Sequence, residues 1–273
     1  MLGAIIGDIV GSRFEWNNYK SKNFIFFTEN SHVTDDSIMT IAIAKALLTC
    51  KLDRSDLAEK AVYYMRYYGK KYWNHDYGGM FNAWLSSDEP KPYNSYGNGA
   101  AMRVSTCGFI AKSLEEAKLL SKKVTEVTHN HPEGLKGAEA TAVAIYLART
   151  GYSINKIREY IQNNYYPLNF TLDEIRDSYQ YNETCQESVP QAIEAFLESE
   201  SFEDAIRNAV SIGGDSDTIA AITGGIAEAY YGIPDEIKEI VMTYYLDQRM
   251  KNILSEFQDR IINKERNEKN DNN

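Results

Sequence analysis

Apolar residues recur every three or four positions along almost the whole chain, which is the spacing of a helix with one buried face. Two long runs of this kind cover 133–150 and 217–231. No sustained stretch alternates apolar and polar residues, and none has the run of β-branched residues that is typical of a strand. The pattern therefore predicts an all-α fold.

Local sequence features mark several helix boundaries. Gly151 follows the first long run, and Gly232 with Pro234 closes the second, as is typical of helix ends. A hydroxyl residue followed three positions later by an acid is typical of a helix start, because each side chain can accept a hydrogen bond from the other's backbone N–H. Three such capping boxes are predicted: Ser113 with Glu116, Thr171 with Glu174, and Ser201 with Asp204.

The chain is predicted to form one helical domain over 1–262. No Pro/Ser-rich linker divides it, and no unit of roughly 20 to 50 residues repeats. From 263 to 273 the sequence is rich in Asn, Lys and Glu, and we expect this tail to be disordered. Two long loops, 13–33 and 86–97, interrupt the helical pattern, and long ordered loops are more often functional than accidental.

Composition narrows the class of protein. With 273 residues and 43% hydrophobic content, the chain can bury a sizeable core. Its first apolar stretch, 1–10, is interrupted by Asp8 and is too short to span a bilayer, so we expect a cytoplasmic protein without a membrane anchor. A formal net charge of −10 disfavours general binding to nucleic acid. An acidic protein that binds an anion must supply positive charge locally, through bound cations or helix N-termini.

The three cysteines, Cys50, Cys107 and Cys185, lie far apart and form no C-x-x-C pair. An odd number without such a pair argues against a disulfide framework, a thiolate zinc site or a redox dithiol. We therefore expect these cysteines to be buried and to act as small hydrophobic residues.

Two predicted helix starts, 34–37 (sequence TDDS) and 213–218 (GGDSDT), are rich in acids. Capping alone explains one such segment, since a hydroxyl or carboxylate at the N-cap and acids in the first turn stabilise a helix. Capping uses one oxygen acceptor, however, whereas the two segments together hold four carboxylates. The excess calls for a second explanation.

A shared metal centre would account for the excess of carboxylates. If the four aspartates converge, their charges repel one another, and two divalent cations would neutralise them. Carboxylates together with the hydroxyls of Thr34 and Thr218 favour hard cations such as Mg²⁺ or Mn²⁺, whereas zinc usually recruits His or Cys. The convergence is a hypothesis that the sequence alone does not test.

A glycine-containing loop, 95–103 (sequence SYGNGAAMR), leads into another predicted helix. Its glycines allow backbone N–H groups to approach a ligand closely, and the following helix N-terminus favours an anion. A plain helix entry is the alternative, in which Arg103 is only structural. His129 lies between two predicted helices, where a ligand contact and an ordinary polar connection are both open.

Gly3, Gly7 and Gly11 occupy every fourth position of the first predicted helix. In a membrane span this spacing would indicate helix dimerisation, but no span is present here. The pattern instead predicts a helix whose glycine face packs tightly against a neighbour. Asp8, on the same helix, needs a polar partner if it is buried.

Five segments stand in a distinctive order along the chain: Gly7-Asp8-Ile9-Val10-Gly11 with Glu15, Thr34-Asp35-Asp36-Ser37, Gly97-Asn98-Gly99-Ala100-Ala101-Met102-Arg103, His129-Asn130-His131, and Gly214-Asp215-Ser216-Asp217-Thr218. Together they resemble the ADP-ribosylglycohydrolases, including the dinitrogenase reductase-activating type. The resemblance runs from Gly3 to about Gly232 and depends on the joint order and spacing, because each motif alone is weak. Departures are mild: Ile9 replaces the more usual Ala, and Ser37 and Ser216 replace Thr.

The resemblance implies an orthogonal helical bundle with a dinuclear Mg²⁺ or Mn²⁺ centre in a cleft that binds ADP-ribose. Its two groups of metal ligands match Thr34, Asp35 and Asp36, and Asp215, Asp217 and Thr218. The family's glutamate on a mobile loop beside the metals matches Glu15. The loop that holds the diphosphate and adjoining ribose matches Ser95, Tyr96, Gly97 and Asn98, and His129 lies near the same ligand.

The activity that the resemblance implies is metal-dependent hydrolysis of the glycosidic bond between ADP-ribose and an acceptor. This reaction would reverse mono-ADP-ribosylation of a protein, with arginine as one candidate linkage and Glu15, Asp35 and Asp215 as catalytic residues. The alternatives are hydrolysis of a phosphoester, of free ADP-ribose derivatives or of nucleic-acid-linked ADP-ribose, and non-catalytic binding of ADP-ribose. We expect the protein to be a monomer. We also expect the segment 71–92 to shape the side of the cleft that receives the acceptor group of the substrate.

Overall fold

The fold is built from α-helices, as predicted. The computed structural model describes residues 1–73, 75 and 77–271, and side chains as far as residue 261. Within these residues there is no strand, only an isolated antiparallel bridge between Gly97 and Thr184. A 3-10 turn, Ser12–Phe14, follows the first helix. The α-helices are α1 (Leu2–Gly11), α2 (Asp35–Thr49), α3 (Leu57–Lys71), α4 (Gly79–Ser86), α5 (Gly99–Met102), α6 (Ser105–Ile110), α7 (Leu114–Thr125), α8 (Pro132–Arg149), α9 (Ile154–Asn164), α10 (Leu172–Arg176), α11 (Cys185–Leu197), α12 (Phe202–Ser211), α13 (Ser216–Tyr231), α14 (Asp235–Tyr244) and α15 (Gln248–Asp271).

Two central helices pack by close backbone contact. α1 is buried along its whole length, and its glycine face lies directly against α13. A Cβ atom built on Gly7 would lie 1.9 Å from the carbonyl oxygen of Ala220, and one built on Gly3 would lie 2.3 Å from that of Gly224. Only residues without a Cβ allow this approach, which confirms the tight packing predicted for the glycine face.

α13 is the helix around which the other helices gather. It contacts α8, α11 and α12 as well as α1, and both α1 and α13 contact α2. The buried apolar residues form one continuous core from Met1 to Ile261, as expected for a single domain. This packing places the starts of α2 and α13 beside each other.

The observed helix starts test the predicted caps. α8 and α13 cover the two long predicted runs to within one residue at each end. Each predicted cap residue accepts a hydrogen bond from the backbone N–H three positions later, but only the box at Thr171 is complete. The reciprocal half of the other two boxes was predicted wrongly. There, Glu116 and Asp204 accept from the backbone N–H of Lys112 and Glu200, one residue before the cap.

The three cysteines are buried and free, as predicted. Among the residues that the structure describes, none of the helices combines the length and the apolar composition of a membrane span. In the tail 263–273 the backbone continues α15 as far as Asp271, and no side chains are described. The domain limit at 262 and the disorder of the tail stay predictions.

Candidate active site

A buried carboxylate of α1 fixes the start of α2. Asp8 accepts hydrogen bonds from the backbone N–H groups of Thr34 (3.0 Å) and Ser37 (3.1 Å), and from both hydroxyls, that of Thr34 at 2.6 Å. Thr34 is also the N-cap residue of α2, and its Oγ1 accepts from the backbone N–H of Asp36 at 3.3 Å. Burial raises the pKa of Asp8, and the four hydrogen bonds oppose that rise. Asp8 thus has the polar partners that its burial requires, and it orients the first turn that carries Asp35.

A two-glycine turn presents the acids of α13. Gly213 and Gly214 have φ angles of +68° and +72°, in the left-handed region that favours glycine. Asp215 follows as the N-cap residue, and Asp217 and Thr218 lie in the first helical turn. Asp217 is buried, and its Oδ1 accepts from the backbone N–H of Thr218 at 2.9 Å. One helix start therefore presents two carboxylates and a hydroxyl.

The starts of α2 and α13 meet. The hydroxyl of Thr218 donates to Asp36 Oδ2 at 3.1 Å, although 182 positions separate these residues in the chain. Glu15, from the loop after α1, lies in the same place: its carboxylate oxygens and those of Asp215 and Asp217 include atoms within 4.8 Å of one another. Acids from three distant points of the sequence are thus brought together. We call Glu15, Asp35, Asp36, Asp215 and Asp217 the acidic cluster.

The four aspartates of the acidic cluster raise one another's pKa. Burial is the largest cause of the rise at each aspartate, and the charge of Asp217 comes next for both Asp35 and Asp36. The pKa of Asp217 itself lies well above its ordinary value because of burial and the charge of Asp215. Burial raises the pKa of Asp215 to about 6, against hydrogen bonds that favour its charged form. Without cations, the folded protein therefore holds protons here more tightly than the unfolded chain does.

The acidic cluster has the chemistry of a site for hard divalent cations. It offers carboxylate oxygens and the hydroxyl of Thr218, which are the kinds of ligand that Mg²⁺ and Mn²⁺ prefer. Asp36 Oδ1 is buried and has no hydrogen-bond partner among the described residues, so a charged oxygen is left to be satisfied. Of the six predicted ligands, Thr34 is the one whose hydroxyl donates to Asp8 rather than facing the acidic cluster.

Asn98 ties the glycine loop to the acidic cluster. Its Nδ2 atom donates to Asp215 Oδ2 at 2.6 Å and to Ser188 Oγ at 3.1 Å. Its backbone N–H donates to the carbonyl oxygen of Glu183 at 2.7 Å. The following helix, α5, has only four residues, so few peptide dipoles add up there and the predicted help from a helix N-terminus is small. The backbone N–H groups of Gly97 and Asn98 are already donated to Ser95 Oγ and to the carbonyl oxygen of Glu183, so an anion on this loop would depend mainly on other donors nearby.

A cleft of about 820 Å³ joins the acidic cluster to the glycine loop. Every predicted site residue except Thr34 lines it: Glu15, Asp35, Asp36, Ser95, Tyr96, Gly97, Asn98, His129, Asp215, Asp217 and Thr218. Residues that were not assigned from the sequence also line it: Trp16, Phe81, Tyr93, Arg103 and Tyr181. Among the chain's 20 tyrosines, no local feature of the sequence marks the ones that reach the cleft.

The segment 71–92, expected to shape the acceptor side, reaches the same cleft. Residues 78–81 of this segment line one wall. Two other members, Asn74 and Asp76, lie outside the described residues. The structure thus places part of the segment where it would meet a ligand, and its role on the acceptor side stays a prediction.

The loop that carries Glu15 is fastened to the turn before α13. Lys20 Nζ donates to two backbone carbonyl oxygens, at 2.6 Å and 2.5 Å, the second of them on Ile212. Asn18 has a φ of 44°, and its Oδ1 accepts from the backbone N–H of Gly214 at 3.1 Å. The position of Glu15 within the acidic cluster is therefore coupled to the two-glycine turn.

Removing the Lys20 contacts is expected to loosen this loop. In Lys20→Met the apolar stem remains but both hydrogen bonds are lost, and bonds from a charged donor contribute about 1.5 to 3 kcal/mol each. Amide hydrogen exchange in 15–24 should become about tenfold faster or more. The control is Lys22→Met on the same loop, where a 43% exposed Lys22 pairs with Asp204. Equal exchange in the two variants would show that Lys20 does not hold the loop.

Comparison with known proteins shows what the whole chain is similar to. The family model described as ADP-ribosylglycohydrolase matches residues 1–270. The ADP-ribosylhydrolase ARH3 of Gallus gallus is 26% identical, with 94% of this chain and 91% of that protein covered. The ADP-ribosylarginine hydrolase Tri1 of Serratia proteamaculans (strain 568) is 25% identical, with 93% of this chain and 76% of that protein covered.

A solved structure has the same fold. It is described as an ADP-ribosylglycohydrolase-related protein complex, and it superposes with a TM-score of 0.66 over 94% of each chain at 21% identity. At this identity the likeness concerns the fold alone, and it agrees with the single helical domain described above.

Proposed function

The chain belongs to the ADP-ribosylglycohydrolase family, and we propose that it uses two divalent cations to hydrolyse the glycosidic bond between ADP-ribose and an acceptor. The observation that carries this proposal is the contact between Thr218 and Asp36, which unites the two acidic helix starts. The adjoining cleft, at about 820 Å³, is of the size that small-molecule ligands occupy. An enzyme of the glycohydrolase class is consistent with the names of the relatives.

The cations would be held by oxygen atoms from both helix starts. The proposed ligands are Thr34, Asp35 and Asp36 from α2, and Asp215, Asp217 and Thr218 from α13. Thr34 would contribute through an oxygen lone pair, because its proton is donated to Asp8. When bound, Mg²⁺ or Mn²⁺ supplies positive charge that polarises ligand oxygens. Asp8 acts indirectly, because it orients the backbone on which three of these ligands lie.

The ADP-ribose diphosphate would lie on the glycine loop. The cleft is lined there by Ser95, Tyr96, Gly97 and Asn98. His129 also lines it, next to Gly97 and Gly99. A protein with a net charge of −10 must offset repulsion of an anion locally. The ring N–H of His129 and the proposed cations would do so.

Glu15, Asp35 and Asp215 are the proposed catalytic residues. Glycoside cleavage builds positive charge on the sugar, which nearby carboxylates stabilise, and it requires a proton at the leaving atom. Glu15 sits beside Asp215 on a loop rather than on a helix, where it can face an incoming ligand. Asp215 is oriented by the side-chain amide of Asn98, which donates to its Oδ2 atom.

Arginine-linked ADP-ribose is the proposed substrate. The relative Tri1 is named an ADP-ribosylarginine hydrolase. The rim near Tyr181 carries the acids Glu15 and Glu183, which would attract a cationic guanidinium acceptor. The same cleft would accept ADP-ribose linked to other groups, so hydrolysis of free ADP-ribose derivatives or of nucleic-acid-linked ADP-ribose is the second candidate. We propose that the protein acts in the cytoplasm as a monomer.

The proposal is tested by product analysis. The full chain is incubated with Mg²⁺, with Mn²⁺ or with a chelator, and with arginine-, serine- and nucleic-acid-linked ADP-ribose in parallel. We expect intact ADP-ribose to be released fastest from the arginine-linked substrate, and only with a cation present. Release of phosphate would indicate a phosphoester hydrolase instead. Binding of ADP-ribose with no release from any substrate would indicate a non-catalytic binding protein.

A further inference from the structure

Arg103 is a buried cation that forms no ion pair with a carboxylate among the described residues. It is 1% exposed and is the largest fully buried side chain of the described protein, yet it lines the cleft. Its Nη2 atom donates to Thr128 Oγ1 at 2.5 Å and lies 3.2 Å from His129 Nδ1. Its Nε atom has no hydrogen-bond partner in the described part of the chain. Buried charges are ordinarily paired, so this arrangement needs an explanation.

The contact with Arg103 favours one tautomer of His129. A guanidinium has donors and no acceptor, so His129 Nδ1 can only accept from it. Thr128 Oγ1 lies 2.8 Å from the same nitrogen. Thr128 Oγ1 can also donate to the carbonyl oxygen of Thr125, at 3.3 Å, so it does not fix the tautomer by itself. A proton on Nδ1 would face the Nη2 donor of Arg103, which favours the tautomer with its proton on Nε2. The ring stays neutral, because burial and the charge of Arg103 lower the pKa of His129 well below its ordinary value.

The Nε2–H group lies beneath the glycine loop. A Cβ atom built on Gly99 would be 3.4 Å from His129 Nε2, and one built on Gly97 would be 3.7 Å from it. The space that these glycines leave open is therefore within hydrogen-bonding reach of the ring N–H. An oxygen of an anionic group resting on the loop would accept from this donor.

We propose that Arg103 is a positioning residue that locks His129 as an Nε2–H donor to a phosphate oxygen of the ligand. Arg103 also places positive charge beside the imidazole. The phosphate part of this inference rests on the proposed function, because it takes ADP-ribose as the ligand. The tautomer part concerns the ligand-free protein and does not depend on that function.

The first arm of the test reads the tautomer. The chain has four histidines, so its imidazole nitrogens can be resolved in long-range ¹H–¹⁵N correlation spectra, with His129→Gln for assignment. Wild-type protein at neutral pH should show His129 with a bare Nδ1 and a protonated Nε2. Arg103→Met should give a mixture of tautomers, whereas Arg103→Lys, which keeps a charged donor, should restore the wild-type pattern. A protonated Nδ1 in wild-type protein would overturn the proposal even if no Arg103 variant folds.

The second arm measures ADP-ribose binding by calorimetry in the presence of Mg²⁺. Arg103→Met should raise the Kd about tenfold, the size of one good hydrogen bond, and Arg103→Lys should recover most of the loss. Arg66→Met is the control, since this arginine donates to backbone carbonyl oxygens of Leu85 and Ser87. An Arg103→Met variant with wild-type Kd and tautomer would overturn the proposal. Wild-type protein that binds no ADP-ribose would overturn the proposed function, while the first arm would still decide the tautomer.

Discussion

Replacing Asp36 with asparagine is expected to abolish metal-dependent release of ADP-ribose and, at the same time, to stabilise the metal-free protein. Asp36 has a buried Oδ1 without a partner among the described residues, and it touches Thr218 from the opposite helix start. Loss of a proposed metal ligand should lower the rate roughly 100-fold or more, because a bound cation stabilises the transition state by several kcal/mol. Removal of a charge that its neighbours repel should stabilise the metal-free fold, because burial and the charges of Asp217 and Asp8 raise the pKa of Asp36 well above its ordinary value.

The effect on stability has a defined pH dependence. An acid whose pKa is higher in the folded protein than in the unfolded chain binds protons more tightly when folded, so a rise in pH destabilises the fold. In the metal-free protein this holds for Asp35, Asp36 and Asp217, and for Asp215 with its pKa of about 6. Stability should therefore fall as the pH rises from about 4, the ordinary value for Asp, through 6 and beyond. The fall should be shallower in Asp36→Asn.

Urea denaturation at several pH values, with and without Mg²⁺, measures the predicted changes in stability. In wild-type protein, Mg²⁺ should stabilise the fold more as the pH rises, because cations bind deprotonated carboxylates. In Asp36→Asn this stabilisation should be largely lost. Asp259→Asn, at an exposed position of α15 outside the cleft, is the control and should leave both activity and stability unchanged. An Asp36→Asn variant that keeps wild-type activity would rule out Asp36 as a metal ligand.

Local features of the sequence were enough to predict those helices whose starts or ends they mark. The caps at Thr171 and the glycines after α8 and α13 act within a few residues, so the pattern around them determines where those helices begin and end. The two halves of the capping boxes that were predicted wrongly are equally local. Glu116 and Asp204 are long or close enough to reach the N–H one residue earlier, and the sequence does not distinguish these two partners.

The contact between the two acidic helix starts, unlike the helix ends, does not follow from local features of the sequence. Thr218 and Asp36 lie 182 positions apart, and nothing near either residue determines that they touch. The excess of carboxylates suggested this contact as a hypothesis, and the resemblance to a family implied it through the order of the motifs. Arg103 and Tyr181 show the limit of that approach. Their place in the cleft depends on how whole helices pack, and neither residue differs locally from structural residues of the same type.

The packing of α1 on α13 makes Gly7→Ala the second variant with a large expected effect. A Cβ at this position would lie 1.9 Å from the backbone oxygen of Ala220, and a backbone atom cannot swing aside as a flexible side chain can. Alanine gains about 1 kcal/mol over glycine in a helix interior, but forcing packed helices apart costs typically 1 to 3 kcal/mol and sometimes more. We expect net destabilisation of about 1 kcal/mol or more, measured by urea denaturation without cations.

A shift of α13 away from α1 should also weaken the site. α1 holds the start of α2 through Asp8, while α13 carries Asp215 and Asp217, so a wider gap would separate the two halves of the acidic cluster. Stabilisation of the variant by Mg²⁺ should therefore fall along with its stability. The matched control is Gly79→Ala, where a Cβ meets nothing within 4 Å and the same helix preference should leave the protein as stable or slightly more so. If Gly7→Ala proved as stable as wild-type protein and equally responsive to Mg²⁺, close contact between these helices would not be what positions the cluster.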